Sequence, residues 1–376
     1  MGTYSPAVEL TRRLVRAETI NPPGNESRCI AILAPLLKEV GFELTEHSFG
    51  ANRASLVARL GGGHDRPPLA FTGHVDTVPL GARAWSRDPF AAEIDADRLY
   101  GRGSSDMKAG VAAFVDACLR RRGQIAGGPG VLLVITAAEE TGCEGARALA
   151  GAKGALGTAG ALVIAEPTAN YPLVGHKGAL WLRASADGVT AHGSMPDKGV
   201  NAVMKAARAA VRLEDFDFNE KRHDVLGAPT LNVGTFHGGL NINSVPDRAE
   251  IGLDLRTIPG QSHARLQEAV AGTMGGEVML EPLMDVSAIW TDPAHPWISE
   301  VFRVTTEIAG ETPVARGATY FTDGALLKPA LGDVPAVVLG PGEPHLAHQT
   351  DEYCLVSRID QAVEIYQRLI DGWCRG

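Results

Sequence analysis

Short apolar runs that end in polar residues recur through the first half of the chain. Four runs of β-favouring residues follow this pattern: ASLVARLGGG, PPLAFTGHVDTVP, VLLVITAAEE and GALVIAEPT. Other segments carry apolar residues at helical spacing. These predicted helices are 7–19, 27–40, 111–122 and 144–152. Strands that alternate with helices predict an α/β fold, in which helices cover a mixed, mostly parallel sheet.

The pattern changes after about Lys177. WLRASADGV alternates apolar and polar residues, and an amphipathic helix, a strand pair, a second helix and a final strand follow it. This order is typical of a ferredoxin-like α+β domain. The chain then returns to mixed α/β, with helices at 296–309 and 357–373 and the strand PAVVLGPG between them. We therefore predict one domain from 1–176 and 288–376, and an inserted domain at 177–287.

Composition narrows the possible partners. A chain of 376 residues is longer than one hydrophobic core usually supports, which agrees with two domains. A net charge of −9 argues against a nucleic-acid or anionic-membrane partner, because either would require a basic face. The N-terminus lacks the basic start and apolar block of a signal peptide. Five scattered cysteines predict no disulfide framework, so we expect a cytoplasmic protein.

Five clusters of His, Asp and Glu follow apolar runs. They are FTGHVDTVP (His74, Asp76), GRGSSDMKAG (Asp106), TAAEETG (Glu139, Glu140), IAEPT (Glu166) and HLAHQTDEY (His345, His348, Asp351, Glu352). A single such residue at a strand end is more often a helix cap or a structural hydrogen-bonding group. Five clusters together are different, because ligands bind at the carboxyl ends of strands and this many acids repel unless cations hold them.

The types of side chain indicate which cations these clusters bind. Imidazoles and carboxylates without cysteine suit zinc, manganese or cobalt in a hydrolytic site. Two metal ions that share a carboxylate would explain why so many acids converge. The residues therefore predict a metal-dependent hydrolase with two divalent ions, most simply Zn²⁺, with Co²⁺ or Mn²⁺ as alternatives.

The motifs GHVDTVP, GRGSSDMKAG, AAEETG, AEPT and AHQTDEY, in this order, resemble the dinuclear-zinc aminoacylase and carboxypeptidase family. The resemblance covers essentially the whole chain and is closest to the acetylornithine deacetylase and succinyl-diaminopimelate desuccinylase type. It implies a zinc-peptidase-like catalytic domain with an inserted lid or dimerisation domain. It also implies that His74 and His348 bind one metal ion each, that Asp106 bridges the two ions, and that Glu140 and Glu166 complete the two ligand sets.

The resemblance also implies the catalytic groups. Glu139 corresponds to the general base, and Asp76 to the acid that orients the His74 imidazole. His192, in GVTAHGSMP, corresponds to a histidine that stabilises the oxyanion, in several members from the partner subunit. This implies a homodimer. The peptide bond after Asp106 is expected to be cis.

Substrate contacts rest on the resemblance alone. Asn243 in NINSVPD and Arg256 in LDLRTIPG correspond to positions that bind a substrate carboxylate, a task that suits the guanidinium fork. Gly324, with Thr322 and Asp323, lies in a loop that corresponds to the substrate-binding loop. His345 is an alternative ligand to His348, which fits the AHQTDE pattern better.

These inferences leave three possible functions. The first is a deacylase that removes an acetyl, succinyl or similar group from an N-acyl amino acid, with Glu139 as general base. The second is a carboxypeptidase or dipeptidase with the same metal chemistry and a small dipeptide-like substrate. The third, from another class, is a non-catalytic relative that only binds; the presence of every ligand position and of the base argues against it.

Overall fold

A computed structural model of the protein describes residues 4–63 and 65–375, which form two compact units. Unit 1 consists of the described residues within Met1–Gly175, Trp290–Arg316 and Thr322–Gly376. Unit 2 consists of His176–Ile289 together with the short segment Gly317–Phe321. Within the described residues, no helix has the length and apolar character needed to cross a bilayer.

The chain up to the start of unit 2 supplies five helices and eight strands to the described structure. In chain order they are α1 (Pro6–Arg16), α2 (Ser27–Glu39), β1 (Glu43–Gly50), β2 (Arg53–Leu60), β3 (Leu69–His74), β4 (Ile94–Asp95), β5 (Arg98–Tyr100), α3 (Ala109–Arg120), α4 (Arg122–Ala126), β6 (Val131–Thr136), α5 (Glu144–Gly151), β7 (Ala161–Ile164) and β8 (Gly175–His176). A π-helical turn, Ser104–Lys108, precedes α3.

The rest of the chain first builds unit 2 and then returns to unit 1. The elements are β9 (Gly178–Asp187), α6 (Ala202–Arg212), β10 (Thr230–Gly238), β11 (Arg248–Thr257), α7 (His263–Met274), β12 (Met279–Val286), β13 (Ile289–Trp290), α8 (Pro296–Ala309), α9 (Gly324–Ala330), β14 (Ala336–Val338), β15 (Tyr353–Leu355) and α10 (Val356–Arg375). A 3₁₀ turn, Pro196–Lys198, lies before α6.

A six-stranded sheet of order β1-β2-β6-β3-β7-β14 forms the centre of unit 1. The four strands from β6 to β14 are parallel, whereas β1 and β2 run antiparallel at one edge. Strands β3 and β6 are buried along their whole length, as is typical of parallel strands covered on both faces. The predicted mixed, mostly parallel sheet is confirmed.

Local signals explain why several helices begin and end where they do. Ser5 caps α1 by accepting the Val8 N–H at 3.3 Å, and proline occupies the first helical position. Helix α8 begins with Pro296, and Gly310, whose left-handed φ of 76° is favourable for glycine, caps its C-terminal end. Because both signals are local, the predicted helix at 296–309 agrees with the observed bounds.

Unit 2 has a four-stranded antiparallel sheet of order β10-β11-β9-β12. With one helix after β9 and one after β11, this is the ferredoxin-like arrangement that the sequence predicts. Its core contains the fully buried Leu182 and Ile251 of the sheet and Val270 of α7. Segment Gly317–Phe321 belongs to this unit, since Ala318 accepts the Lys177 N–H at 3.0 Å.

Candidate metal centre

In unit 1, acidic and imidazole groups lie at the carboxyl ends of three strands of the sheet. His74 is the last residue of β3, Glu139 and Glu140 follow β6, and Glu166 follows β7. Because these strands are parallel neighbours, their carboxyl ends lie side by side. The polar residues that interrupt the apolar runs of the sequence are therefore neighbours in space.

Asp106 lies between the two histidines that the sequence singles out. Its Oδ1 is 3.2 Å from His74 Nε2, and its Oδ2 is 3.4 Å from His348 Nε2. Glu166 Oε1 lies 3.8 Å from the same nitrogen of His74, and Glu140 Oε2 lies 3.1 Å from the same nitrogen of His348. The geometry thus divides into a His74–Glu166 side and a His348–Glu140 side, with Asp106 between them.

The charge balance of this cluster fits divalent cations. Burial raises the pKa of Glu139 and Glu166 well above the usual range, and burial with the nearby Asp106 carboxylate raises that of Glu140. Glu140 Oε1 is also buried without a hydrogen-bond partner among the described residues. Ligand atoms of His74, Asp106 and Glu140 all lie within 4.8 Å of one another, so the two sides of the cluster meet at Asp106, and cations there would offset the charge of the buried carboxylates.

Asp76 is completely buried and organises both sides of the site. One of its oxygens lies 3.5 Å from His74 Nδ1, which also contacts the Asp76 backbone carbonyl at 3.0 Å. Its carboxylate further accepts the backbone N–H groups of Glu139 and Glu140, at 3.1 and 3.2 Å. Asp76 therefore fixes the Glu139–Glu140 turn as well as the imidazole, which the sequence analysis did not foresee.

Asn21 is a further contact that the sequence analysis missed. Its Nδ2 donates to Asp76 Oδ2 at 3.0 Å and to Thr141 Oγ1 at 3.1 Å. In the sequence, Asn21 opens the NPPG segment between the predicted helices 7–19 and 27–40. An asparagine in a loop is ordinary turn chemistry, so its contact with Asp76 became visible only in the fold.

The other residues of the site motifs are placed as follows. His345 is exposed and faces Glu343 at 3.8 Å, while His348 lies at the carboxylate cluster. Asp323 is 2% exposed, and burial raises the pKa of its carboxyl group to about 6. Gly324 begins α9 and packs against Ile164. The Asp106–Met107 peptide bond is cis, as the resemblance implied.

Unit 2 holds His192, Asn243 and Arg256. His192 is exposed, and its Nδ1 accepts the Ser194 N–H at 3.2 Å, so a neutral ring carries its proton on Nε2. The adjacent Gly193 donates its N–H to the Asn243 carbonyl at 2.8 Å, which places His192 and Asn243 together. Arg256 lies on β11 and is held by Asp254 through two contacts, at 2.9 and 3.1 Å.

The chain matches known proteins over nearly all of its length. Peptidase family M20/M25/M40 matches residues 70–372. The chain belongs to this family. It is also 30% identical to an acetylornithine deacetylase of Photorhabdus laumondii subsp. laumondii, over 98% of this chain and 97% of that protein. With this membership, the chain is a metal-dependent amidohydrolase.

Solved structures of the M20 family share the fold. An M20 family metallo-carboxypeptidase from Sulfolobus solfataricus superposes with a TM-score of 0.83 at 18% identity, over 99% of this chain and 100% of that one. The YXEP protein of Bacillus subtilis, described as a dinuclear metal-binding peptidase of the family, gives 0.70 at 15% identity, over 98% of both chains. At this level of identity, the two structures support the architecture alone.

Proposed function

We propose that the enzyme removes an acyl group, such as acetyl or succinyl, from an N-acyl amino acid by metal-assisted hydrolysis. The observation that carries this proposal is the convergence of two imidazoles and two further carboxylates around Asp106, with the buried Glu139 beside them. The acetylornithine deacetylase relatives support the choice of an acylated amino acid as substrate.

We assign two divalent ions to this cluster. His74 and Glu166 would hold one ion and His348 and Glu140 the other, with Asp106 shared between them, in agreement with the distances above. Zn²⁺ suits such a ligand set, and Co²⁺ or Mn²⁺ would also bind, because nitrogen and oxygen ligands of this kind do not select one metal. When bound, the ions lower the pKa of a coordinated water and polarise the amide carbonyl.

Glu139 is the group that moves the proton. It is buried next to the ligands, and its backbone N–H is fixed by Asp76 at 3.1 Å. As its carboxylate accepts a proton from the attacking water, the water oxygen forms its bond to the amide carbon. The same proton then passes to the departing amine nitrogen as the C–N bond breaks. Glu139 is thereby restored to the carboxylate form, and acid and amine are the products.

Unit 2 is proposed to supply the remaining groups. His192 would donate its Nε2–H to the developing oxyanion, since Nδ1 is occupied by the Ser194 N–H. Arg256 and Asn243 would bind the substrate carboxylate. Gly324 of unit 1 would contact the substrate through its backbone, because it has no side chain. In this assignment, residues 1–176 and 288–376 form the catalytic domain, and residues 177–287 form the dimerisation or lid domain.

We further propose that the enzyme is a homodimer that forms through unit 2. Strand β10 is an edge strand of the unit 2 sheet, and its residues Phe236 and Val233 are 40% and 39% exposed. Val211 of the neighbouring helix α6 is 67% exposed, so apolar groups line this edge. A second copy that pairs along β10 would satisfy the open backbone groups and cover these side chains.

The five free cysteines favour the cytoplasm as the compartment.

A carboxypeptidase or dipeptidase is the second candidate, because the family to which the chain belongs is described as a peptidase family. A panel of N-acetyl, N-succinyl and N-aminoacyl amino acids, assayed with Zn²⁺, Co²⁺ and Mn²⁺, separates the two. The proposal requires the N-acyl substrates to have the highest kcat/KM. Preferential cleavage of the dipeptides would favour the peptidase, and a purified protein that binds no metal and cleaves nothing would favour the binding relative.

A further inference from the structure

The loop that carries Asp106 is held by one buried carboxylate, that of Glu352. Its Oε1 accepts the backbone N–H groups of Ser105 and Asp106, at 2.8 and 3.0 Å. Its Oε2 accepts the N–H of Gly103 at 3.0 Å and Nη1 of Arg102 at 2.6 Å. Glu352 thus binds four donors from five consecutive residues, including the backbone of the proposed bridging ligand itself.

Arg102 extends this contact towards His348. Its guanidinium is 1% exposed, and Nη2 donates to the carbonyls of Pro79 at 3.3 Å and of His348 at 3.5 Å. His348 has a left-handed φ of 64°, which is uncommon for a residue with a side chain. A charged donor on its carbonyl helps to hold that conformation. The Glu352–Arg102 pair therefore contacts the backbones of both Asp106 and His348.

Glu352 is well placed to connect these two segments because it directly precedes β15. This strand pairs with β5, and the Asp106 loop begins directly after β5. Ser105 adds two more bonds, since its hydroxyl donates to the Tyr353 carbonyl at 2.7 Å and accepts the Glu343 N–H at 2.8 Å. The loop is therefore hydrogen-bonded to the chain both before His348, at Glu343, and after it, at Tyr353.

We propose that Glu352, with Arg102, is the positioning pair of the metal centre. It sets the separation between the Asp106 carboxylate and the His348 imidazole and thereby determines how tightly the ion between them is held. Neither side chain is assigned as a metal ligand or as a substrate contact; their hydrogen bonds go to the protein. This inference rests on the proposed function, because it assumes that Asp106 and His348 bind metal.

Glu352→Gln is the main test, because it preserves the shape but replaces one acceptor oxygen by an NH₂ group that faces N–H donors. Chelator-treated protein is titrated with Co²⁺ and followed by visible absorption, which reports both affinity and ligand geometry. We expect Co²⁺ affinity at the weaker site to fall about 10–100-fold, as for other groups that orient metal ligands. The absorption spectrum should also change, and Glu352→Asp, which keeps the charge, should recover part of the affinity.

Glu26→Gln is a matched control. Glu26 is also fully buried and pairs with Arg53 at 2.8 Å, but none of its hydrogen bonds reaches residues 101–106. The Glu26→Gln variant should lower the midpoint temperature of thermal unfolding and leave Co²⁺ affinity at the wild-type value. An equal loss of affinity in Glu26→Gln would overturn the inference, since the effect would then be general destabilisation.

Two further outcomes separate the inference from the proposed function. If the wild type binds two Co²⁺ ions and Glu352→Gln binds them with the same affinity and spectrum, only the inference is wrong. If the folded wild type binds no Co²⁺, the proposed function itself is wrong.

Should Glu352→Gln fail to fold, Arg102→Lys replaces it, because lysine keeps the charge but lacks the fork that reaches both Glu352 and His348. Wild-type Co²⁺ affinity in Arg102→Lys would then refute the proposal.

Discussion

Apart from the exposed His348 of unit 1, the two units place their candidate functional residues in opposite environments. In unit 1, Glu139, Glu166 and Asp76 are buried beyond the carboxyl ends of parallel strands. In unit 2, His192 and Asn243 are exposed, and Arg256 is already paired with Asp254. Burying several carboxylates together is unfavourable unless cations compensate, whereas exposed polar groups are satisfied by water. The first arrangement therefore indicates a function by itself, and the second acquires one only when a substrate or subunit approaches.

The two sets also differ in how rigidly they are held. His74, Glu139 and Glu166 of unit 1 end or directly follow strands, and buried hydrogen bonds fix part of the site, as Asp76 fixes the Glu139–Glu140 turn. The unit 2 groups lie in a loop, near the 3₁₀ turn, and on a partly exposed strand. Preorganised groups suit the chemical step, and more accessible groups suit recognition. We expect substitutions in unit 1 to reduce kcat and metal binding, and those in unit 2 to act on oxyanion and substrate contacts.

Metal removal should have the largest effect. Treatment with a chelator is expected to reduce hydrolysis to background, because the attacking water then keeps its ordinary pKa. Addition of Zn²⁺ or Co²⁺ should restore activity, measured as amine release from an N-acetyl amino acid. Circular dichroism before and after chelation controls for unfolding. Full activity in a folded protein shown to be metal-free would contradict the assignment of the unit 1 cluster.

Glu139→Gln should lower kcat by about 10²–10⁴-fold, the usual contribution of a general base. Because Glu139 is not assigned as a ligand, metal content measured by elemental analysis should remain two ions per chain. The exposed Glu144→Gln, at the start of α5, is the control and should behave as wild type. A Glu139→Gln variant with wild-type kcat would show that another group moves the proton.

His192→Gln should lower kcat by about 10²–10³-fold, as does removal of one oxyanion donor in other enzymes. Co-expression with Glu139→Gln then tests which subunit the histidine serves. If His192 acts across subunits, each mixed dimer regains one site with both groups intact, and activity exceeds that of either variant alone. Absence of any gain in purified mixed dimers would show that His192 acts within its own chain.

Arg256→Lys should have the smallest effect. It would raise KM roughly tenfold without changing kcat, as expected for the loss of a charged hydrogen bond worth about 1.5 kcal/mol. Arg248→Lys is the matched control, because Arg248 lies on the same strand and pairs with Glu250 at the surface. Equal KM changes in both variants would argue against a specific carboxylate contact at Arg256.

Much of the fold follows from local patterns in the sequence. The buried strands β3, β6 and β7 and the capped helix α8 carry strong periodicity and clear ends, so they were predicted close to their observed bounds. Strand β1 was not predicted, because Glu43–Gly50 is largely exposed and rich in polar residues. What fixes β1 is its antiparallel pairing with β2, which is a tertiary contact.

The candidate site divides in the same way. Acids and histidines at the ends of apolar runs determined where a metal centre could form, because residues at the carboxyl ends of parallel strands must meet. The sequence could not reveal that Asp76 also fixes the Glu139–Glu140 turn, or that Glu352 binds the backbone of Asp106 from 246 positions away. Such contacts leave no local pattern, since they depend on which strands become neighbours. The identities of the reactive groups were therefore set by the sequence alone, and their positions were decided by the tertiary structure.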